Sequence, residues 1–237
     1  WIGYLQWHVR TRAVTPPEPI LQDFKTIENR DAVVKAEIEL DRDGEGRPIA
    51  DTQGRERYIY KNPRRPDWPQ ADFIVGNPPF IGGKDLRARL GDAYAQALWA
   101  ANGLNESADF VMYWWDHAAS LLTRKGTRLR RFGFVTTNSI SQVFQRRVME
   151  RHLDAKKPIS LIMAVPDHPW TKATKDAAAV RIAMTVAEAG KRDGLLREVS
   201  AEAALDTDEP RIDFTTRAGR INSDLTVGVD VGRAAPL

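Results

Sequence analysis

Asn77-Pro78-Pro79-Phe80 directly follows the apolar run Phe73-Ile74-Val75-Gly76, and its residue types suit chemistry at an amino nitrogen. An amino group conjugated with a purine ring or a carbonyl is a poor nucleophile, because its lone pair is delocalised. A catalyst must accept hydrogen bonds from its protons and turn the lone pair outward. The Asn77 side-chain oxygen and the Pro78 backbone carbonyl are two such acceptors. Pro78 and Pro79 restrict the backbone and remove competing N–H donors, so the acceptors are held in place before a base arrives. Phe80 adds a flat face. An amino group inside a duplex is out of reach, so its nucleotide must be flipped out, and stacking on an aromatic ring offsets part of the unstacking cost. The same four residues also make an ordinary turn after a strand, since Asn and Pro are turn formers.

The loop needs a scaffold, and the flanking sequence describes one. In an open α/β sheet, ligands bind beyond the carboxyl ends of the strands, which is where a loop leaving Gly76 sits. Leu86, Leu90, Ala93, Tyr94, Ala97 and Leu98 predict one helical stripe, and Phe110, Val111, Trp114, Ala118, Leu121 and Leu122 a second. Phe132 to Thr137 reads as a strand, followed by a helix with Ile140, Phe144 and Val148 on one face, capped by Ser139 or Ser141. Ile159 to Val165 and Val180 to Val186 read as two further strands, the second alternating in a way that suits a position near the sheet edge. This order predicts a parallel sheet covered by helices. Upstream, residues 33–40 and 56–60 are expected to pair across Asp43-Gly44-Glu45-Gly46, as part of an excursion over residues 33–70. Asn62 to Pro69, with three prolines, reads as irregular and delivers the chain into a short buried strand at Asp72 to Gly76.

Composition limits the chemistry. The 237 residues, 42% hydrophobic and 28% charged, are ordinary for one large or two small globular domains. No apolar run approaches the roughly 18 residues of a membrane span, and the first residues carry no secretory pattern, so a cytoplasmic setting is expected. The chain has no Cys, which removes disulfides, thiolate zinc sites and the nucleophile needed to methylate cytosine at a ring carbon. A net charge of +3 permits a nucleic-acid partner without arguing for one. His8, His117, His152 and His168 show no metal-ligand spacing, and no Glu-x-Lys completes a magnesium-dependent nuclease site, so no metal is expected in this chain. Trp1 to Val9 reads as the back half of a helix without an N-cap, and the β-like alternation at Leu225 to Val231 closes nothing. The chain is therefore expected to be a piece of a longer protein.

Asn77-Pro78-Pro79-Phe80 occurs together with Gly82-Gly83-Lys84, Ser107-Ala108-Asp109-Phe110, Phe134-Val135-Thr136-Thr137-Asn138-Ser139 and Asp167-His168-Pro169-Trp170. In that order these blocks resemble the adenine-specific methylase region of large bacterial single-chain restriction–modification enzymes, the type IIG and IIL, MmeI-like kind. The resemblance covers roughly residues 1–190. It implies an α/β fold with a Rossmann-like class I sheet that depends on S-adenosylmethionine as cofactor and is incomplete at its N-terminal end. It implies methyl transfer to the exocyclic amino group of a flipped adenine, with Asn77, Pro78, Pro79 and Phe80 as catalytic residues and double-stranded DNA as partner. Residues 191–237 would then be a linker and the start of a target-recognition region. By the same resemblance, Asp31 and Ala32 are cofactor-binding residues, Asp31 taking the position that accepts a hydrogen bond from the cofactor's adenine amino group, and Trp170 stands beside the flipped base.

Each transferred role has a plainer counterpart: Asp31 as a turn cap, Trp170 as a packed rim residue. No strand–Gly-x-Gly–helix cofactor loop precedes them, so this chain alone is expected to bind the cofactor weakly or not at all. Arg124, Lys125, Arg128, Arg130 and Arg131 form the densest basic run, but they precede a strand and so lie on the edge opposite the loop; the same argument demotes Arg64 and Arg65. Lys84, Arg87, Lys172 and Lys175, on segments that follow strands, are the better phosphate candidates. Three other readings stay open: methylation of adenine in RNA, methylation of a release-factor glutamine amide, and a non-catalytic DNA-binding scaffold.

Overall fold

β-branched and aromatic runs separated by amphipathic stretches build a mixed α/β architecture. The computed structural model describes residues 10–11, 27–51, 53–170, 180–205, 207 and 210–228. It divides into residues 1–30 and 31–237. In the first unit Arg10 and Thr11 are helical and Arg30 pairs with Glu28 at 2.6 Å; the helix expected over residues 1–9 lies outside the described residues.

In the second unit, β1 (Lys35–Leu40) and β2 (Tyr58–Arg64) form an antiparallel two-stranded sheet, the expected hairpin. β2 runs further than expected, through Asn62-Pro63-Arg64, but its register shifts there and Asn62 takes a left-handed φ of 50°. The remaining strands are β3 (Phe73–Gly76), β4 (Arg131–Thr137), β5 (Ile159–Pro169), β6 (Arg181–Ala189), β7 (Gly194–Ala203) and β8 (Arg211–Gly219). They make one six-stranded sheet in the order β3-β4-β6-β5-β7-β8. The helices are α1 (Leu86–Leu90), α2 (Asp92–Asn102), α3 (Val111–Leu122) and α4 (Val143–Leu153).

The sheet is mixed rather than parallel. β3 and β4 run parallel, as do β5 and β7, whereas β6 is antiparallel to both β4 and β5, and β8 to β7. Hence β3, β4, β5 and β7 all point the same way and end at one edge. β6 lies in the middle of the sheet, not near its margin. Residues 194–219, read from sequence as linker and the start of a recognition region, contribute β7 and β8 to this same sheet.

One face is packed. Trp115 of α3 stands edge-on to Phe132 of β4 at 5.3 Å and donates its indole N–H to Thr185 Oγ1 of β6 at 3.3 Å. α4 adds buried Val148 and Met149. The other face is open among the described residues: Phe73, Val75, Val135, Met163, Met184 and Val186 line an apolar trough of about 360 Å³. Residues 72–76 are accordingly not a buried strand. β3 is at the sheet margin, with Phe73 53% and Val75 87% exposed.

Two helical details depart from the sequence reading. The single stripe from Leu86 to Leu98 breaks at Gly91, whose φ of 90° only glycine adopts easily. Neither Ser139 nor Ser141 caps α4, because residues 138–141 coil into a 3-10 turn and the helix starts after Gln142 without a side-chain cap.

α3 is buried nearly all round, so its one carboxylate must find partners inside. Asp116, 1% exposed, receives Arg65, Arg151 and His152, the last at 2.7 Å. Burial alone would raise its pKa, but the His152 hydrogen bond and the charges of Arg65 and Arg151 outweigh it and take Asp116 down to about 2. Arg65 also donates to the Asn102 side chain at 2.8 Å, tying the segment after β2 to α2 and α3.

Candidate active site

The loop after β3 is fixed at both ends. At its start, Gly76 pairs in register with Phe134 of β4. At its end, Ile81 accepts the Phe110 amide at 2.8 Å, and Gly83 donates its amide to Asp109 Oδ1 at 3.0 Å. Gly83 runs so close to the backbone of Ser107 that any Cβ there would overlap the Ser107 carbonyl. Two blocks that lie well apart in sequence, 81–84 and 107–110, therefore meet as one clamp.

Between these anchors Pro78 is buried, Phe80 is half-buried, and Asn77 and Pro79 are exposed. The Asn77 carboxamide and the Pro78 carbonyl have no hydrogen-bond partner among the described residues. Both acceptors are thus open, on a segment whose prolines offer no N–H to fill them.

The neighbouring strand end is tied to the same clamp. Thr137 and Ser139 hydroxyls lie 2.5 Å apart, and Ser139 donates to Asp109 Oδ2 at 2.6 Å. Asn138 donates to Asp167 Oδ1 at 3.3 Å, and Arg181 reaches Asp167 at 2.6 Å and Glu202 at 2.7 Å, so polar contacts run along the edge where β4, β5 and β7 end. Trp170 follows β5 on this edge, 42% exposed, with its amide donated to Val180 at 2.9 Å. It is not fully packed, and the strand it follows, β5, lies three strand spacings from β3, roughly 14 Å.

Asp31 belongs to a different cluster. Its Oδ1 accepts the amides of Val33 and Val34, each at 2.8 Å, and its Oδ2 accepts the Tyr94 hydroxyl at 2.7 Å. Burial and then Asp31 push the Tyr94 hydroxyl well above the ordinary tyrosine range, so it stays a donor. The Ala32 carbonyl accepts the Trp68 indole N–H at 2.7 Å. No hydrogen bond or ring contact joins Asp31 to residues 77–80.

The family description "MmeI, DNA-methyltransferase domain" matches residues 26–196. The chain belongs to this MmeI methyltransferase family. Among solved structures it is similar to the type IIL restriction–modification enzyme MmeI in complex with DNA, at 25% identity and a TM-score of 0.49 over 67% of this chain and 20% of that one. It is also similar to a modification subunit assigned to a type I restriction enzyme of Vibrio vulnificus YJ016, at 17% identity and a TM-score of 0.40 over 57% of this chain and 26% of that one. The chain thus spans about a fifth and a quarter of the two proteins. No protein with a curated description matches it.

For a member of the MmeI methyltransferase family, the fit to S-adenosylmethionine can be judged from Asp31. A carboxylate has about four acceptor positions, and three are taken, so one on Oδ2 is left for an amino group. That acceptor position is open to a donor N–H among the described residues. No Gly-x-Gly turn between a strand and a helix occurs among the described residues to receive the rest of the cofactor.

The cations separate in the same way. Lys84 is exposed beside the clamp and has no ion pair among the described residues. Arg87 pairs with Asp92, approaches Glu106 at 3.8 Å and lies over the Trp99 ring at 4.7 Å. Lys172 and Lys175 fall outside the described residues. In the basic run, Arg128 pairs with Asp72 and Arg131 with Glu188, at the edge opposite the loop. Among the described residues no group of His, Asp and Glu is arranged to hold a metal ion. Asp109 and Tyr94 went unassigned in the sequence. Asp109 lies inside a recognised block, while Tyr94 was visible only as one member of an apolar stripe.

Proposed function

We propose that this chain supplies the acceptor side of methyl transfer from S-adenosylmethionine to the exocyclic amino group of an adenine flipped out of double-stranded DNA, in a cytoplasmic restriction–modification enzyme. We read β3-β4-β6-β5 as the second half of a Rossmann-like class I sheet, with residues beyond β8 leading toward a target-recognition region. One observation carries the reading: Asn77 and Pro78 hold two unfilled acceptors on a loop clamped at both ends.

The Asn77 oxygen and the Pro78 carbonyl each accept one proton of the amino group, which draws nitrogen out of conjugation and aims its lone pair away from the loop. Phe80 stacks on the extruded base, and Trp170 borders the path at the end of β5. Asp31, steadied by Tyr94, holds the cofactor's adenine amino group. The cofactor, when bound, supplies an electrophilic methyl group. The methyl group would leave a sulfonium sulfur, which becomes a neutral thioether, and the two oxygens stabilise the positive charge that nitrogen gains before the surplus proton leaves to solvent. Lys84 meets a phosphate near the extruded nucleotide.

The test uses the full-length protein, labelled cofactor and duplex DNA. Asn77→Ala is expected to lower kcat roughly 100- to 1000-fold, the cost of removing one preorganised polar contact to transition-state charge. Undiminished transfer in that variant refutes the mechanism, and label arriving in RNA or protein but never in DNA refutes the substrate.

A further inference from the structure

We propose that Asp109 is the positioning residue of the acceptor loop, fixing it against the end of β4 by holding the Gly83 amide on one carboxylate oxygen and the Ser139 hydroxyl on the other. The inference rests on the reading of Asn77 and Pro78 given above, and it adds a residue to that site.

The argument starts from what Asp109 does not do. It lies two residues before α3, where an aspartate commonly caps the helix by accepting one of its free amides. α3 has no side-chain cap at all. Instead Asp109 Oδ1 turns to Gly83 at 3.0 Å and Oδ2 to Ser139 at 2.6 Å. The carboxylate is directed to joining two loops that leave adjacent strands, β3 and β4, at the edge where the base must enter.

The join is stiff. Ser139 donates to Asp109 and lies 2.5 Å from the Thr137 hydroxyl, which donates to it in turn, so the contact extends to the last residue of β4. Hydrogen bonds to a charged acceptor are shorter and stronger than neutral ones. On the other side, Gly83 cannot slide away along the 107–110 segment, because the Phe110 amide also holds Ile81 at 2.8 Å. Only Asn77 to Phe80 lie free between Gly76 and these contacts. Without Asp109 the bridge keeps only the Ile81–Phe110 backbone bond at this end and loses its tie to β4 through Ser139, and a displacement near 1 Å of a catalytic group can cost about 100-fold in rate.

Asp109 touches neither base nor cofactor in this scheme, so its loss must appear in kcat and not in binding. In the full-length protein, Asp109→Ala is expected to lower the single-turnover transfer rate about 100-fold, with dissociation constants for DNA and cofactor within about twofold of the parent. Asp109→Asn keeps one acceptor oxygen and should recover about tenfold of that loss; Ser139→Ala should fall between Asp109→Asn and the parent. A 2-aminopurine at the target position should still brighten in all three, since extrusion does not need the clamp.

Should Asp109→Ala fail to fold, Asp109→Asn and Ser139→Ala decide the matter by the same split. Full transfer rates in the variants, or a rate loss matched by equal losses of DNA binding and melting temperature, overturn the proposal. If the parent protein methylates an acceptor other than adenine, the adenine reading fails by itself, and the kcat split measured on that acceptor still decides the role of Asp109.

Discussion

Tyr94 donates its hydroxyl to Asp31 Oδ2 at 2.7 Å, on a carboxylate whose Oδ1 already accepts the Val33 and Val34 amides. Asp31 is thus both a turn cap and a charged acceptor with one position to spare, and the two roles can be separated. Asp31→Asn keeps an oxygen for the two amides but removes the charge and presents an N–H₂ to the ligand. Fold stability should change by less than about 1 kcal/mol, while cofactor affinity falls roughly tenfold or more, the value of a hydrogen bond to a charged group. Asp31→Ala should lose both. Calorimetric titration of the full-length protein beside thermal melting checks the split; equal cofactor affinity in parent and Asn variant would remove Asp31 from the site.

The Asp116 cluster gives an acid-stability prediction. Its folded pKa of about 2 lies below the unfolded value of 3.8, so the ionised form is favoured by folding. The stabilisation is fully present above pH 3.8 and is lost as pH falls toward 2, about 2 kcal/mol in all. Asp116→Asn removes that pH dependence and leaves Arg65 and Arg151, both partly exposed, facing a neutral group, which should cost about 2 kcal/mol near neutrality. Urea titrations at pH 7, 4 and 2.5 report both effects.

How much could be read beforehand depended on whether the cause was local. Asn77 to Phe80 were legible because their chemistry lies in consecutive residues. The clamp was not, because Gly83 and Asp109 become partners only once the crossover through α1 and α2 brings them together. The alternation in β6 suggested an edge, yet it arises because Ile182, Ala183, Thr185 and Ala187 are buried while Met184 and Val186 face the open trough. β7 and β8 went unseen because polar residues such as Glu198 opposite Thr215 and Arg197 opposite Thr216 hide the strand pattern, and backbone pairing holds them. Arg65 read as a surface charge because nothing local reveals that Asp116 awaits it inside.

His117 titrates in a separate window. Its ring packs on Trp68 at 4.3 Å, and burial together with the Arg65 charge pushes its pKa from 6.5 to about 4. Between those values the unfolded chain binds a proton that the folded chain does not, so stability falls as pH drops from 6.5 toward 4, by up to about 3 kcal/mol. His117→Phe keeps a ring against Trp68 and should flatten the stability profile above pH 4 while leaving the steeper loss below it. A variant profile that matches the parent across pH 4 to 6.5 would assign that loss to another group.

Lys84 and Arg87 stand three residues apart near the same clamp, yet their surroundings differ enough to predict opposite behaviour. Arg87 already meets Asp92 and Glu106 and covers Trp99, so a phosphate would have to compete with two carboxylates and expose an indole. Lys84 has no such partner among the described residues, and a freely hydrated ammonium can release a counterion from DNA at little cost. Lys84→Ala in the full-length protein should weaken duplex binding uniformly across sequences and reduce the slope of log affinity against log salt by about 1. Arg87→Ala should leave that slope unchanged and instead lower the melting temperature, because α1 and α2 lose the side chain that links them. Salt titrations of both variants separate the two, and a reduced slope in Arg87→Ala with none in Lys84→Ala would reverse the assignment.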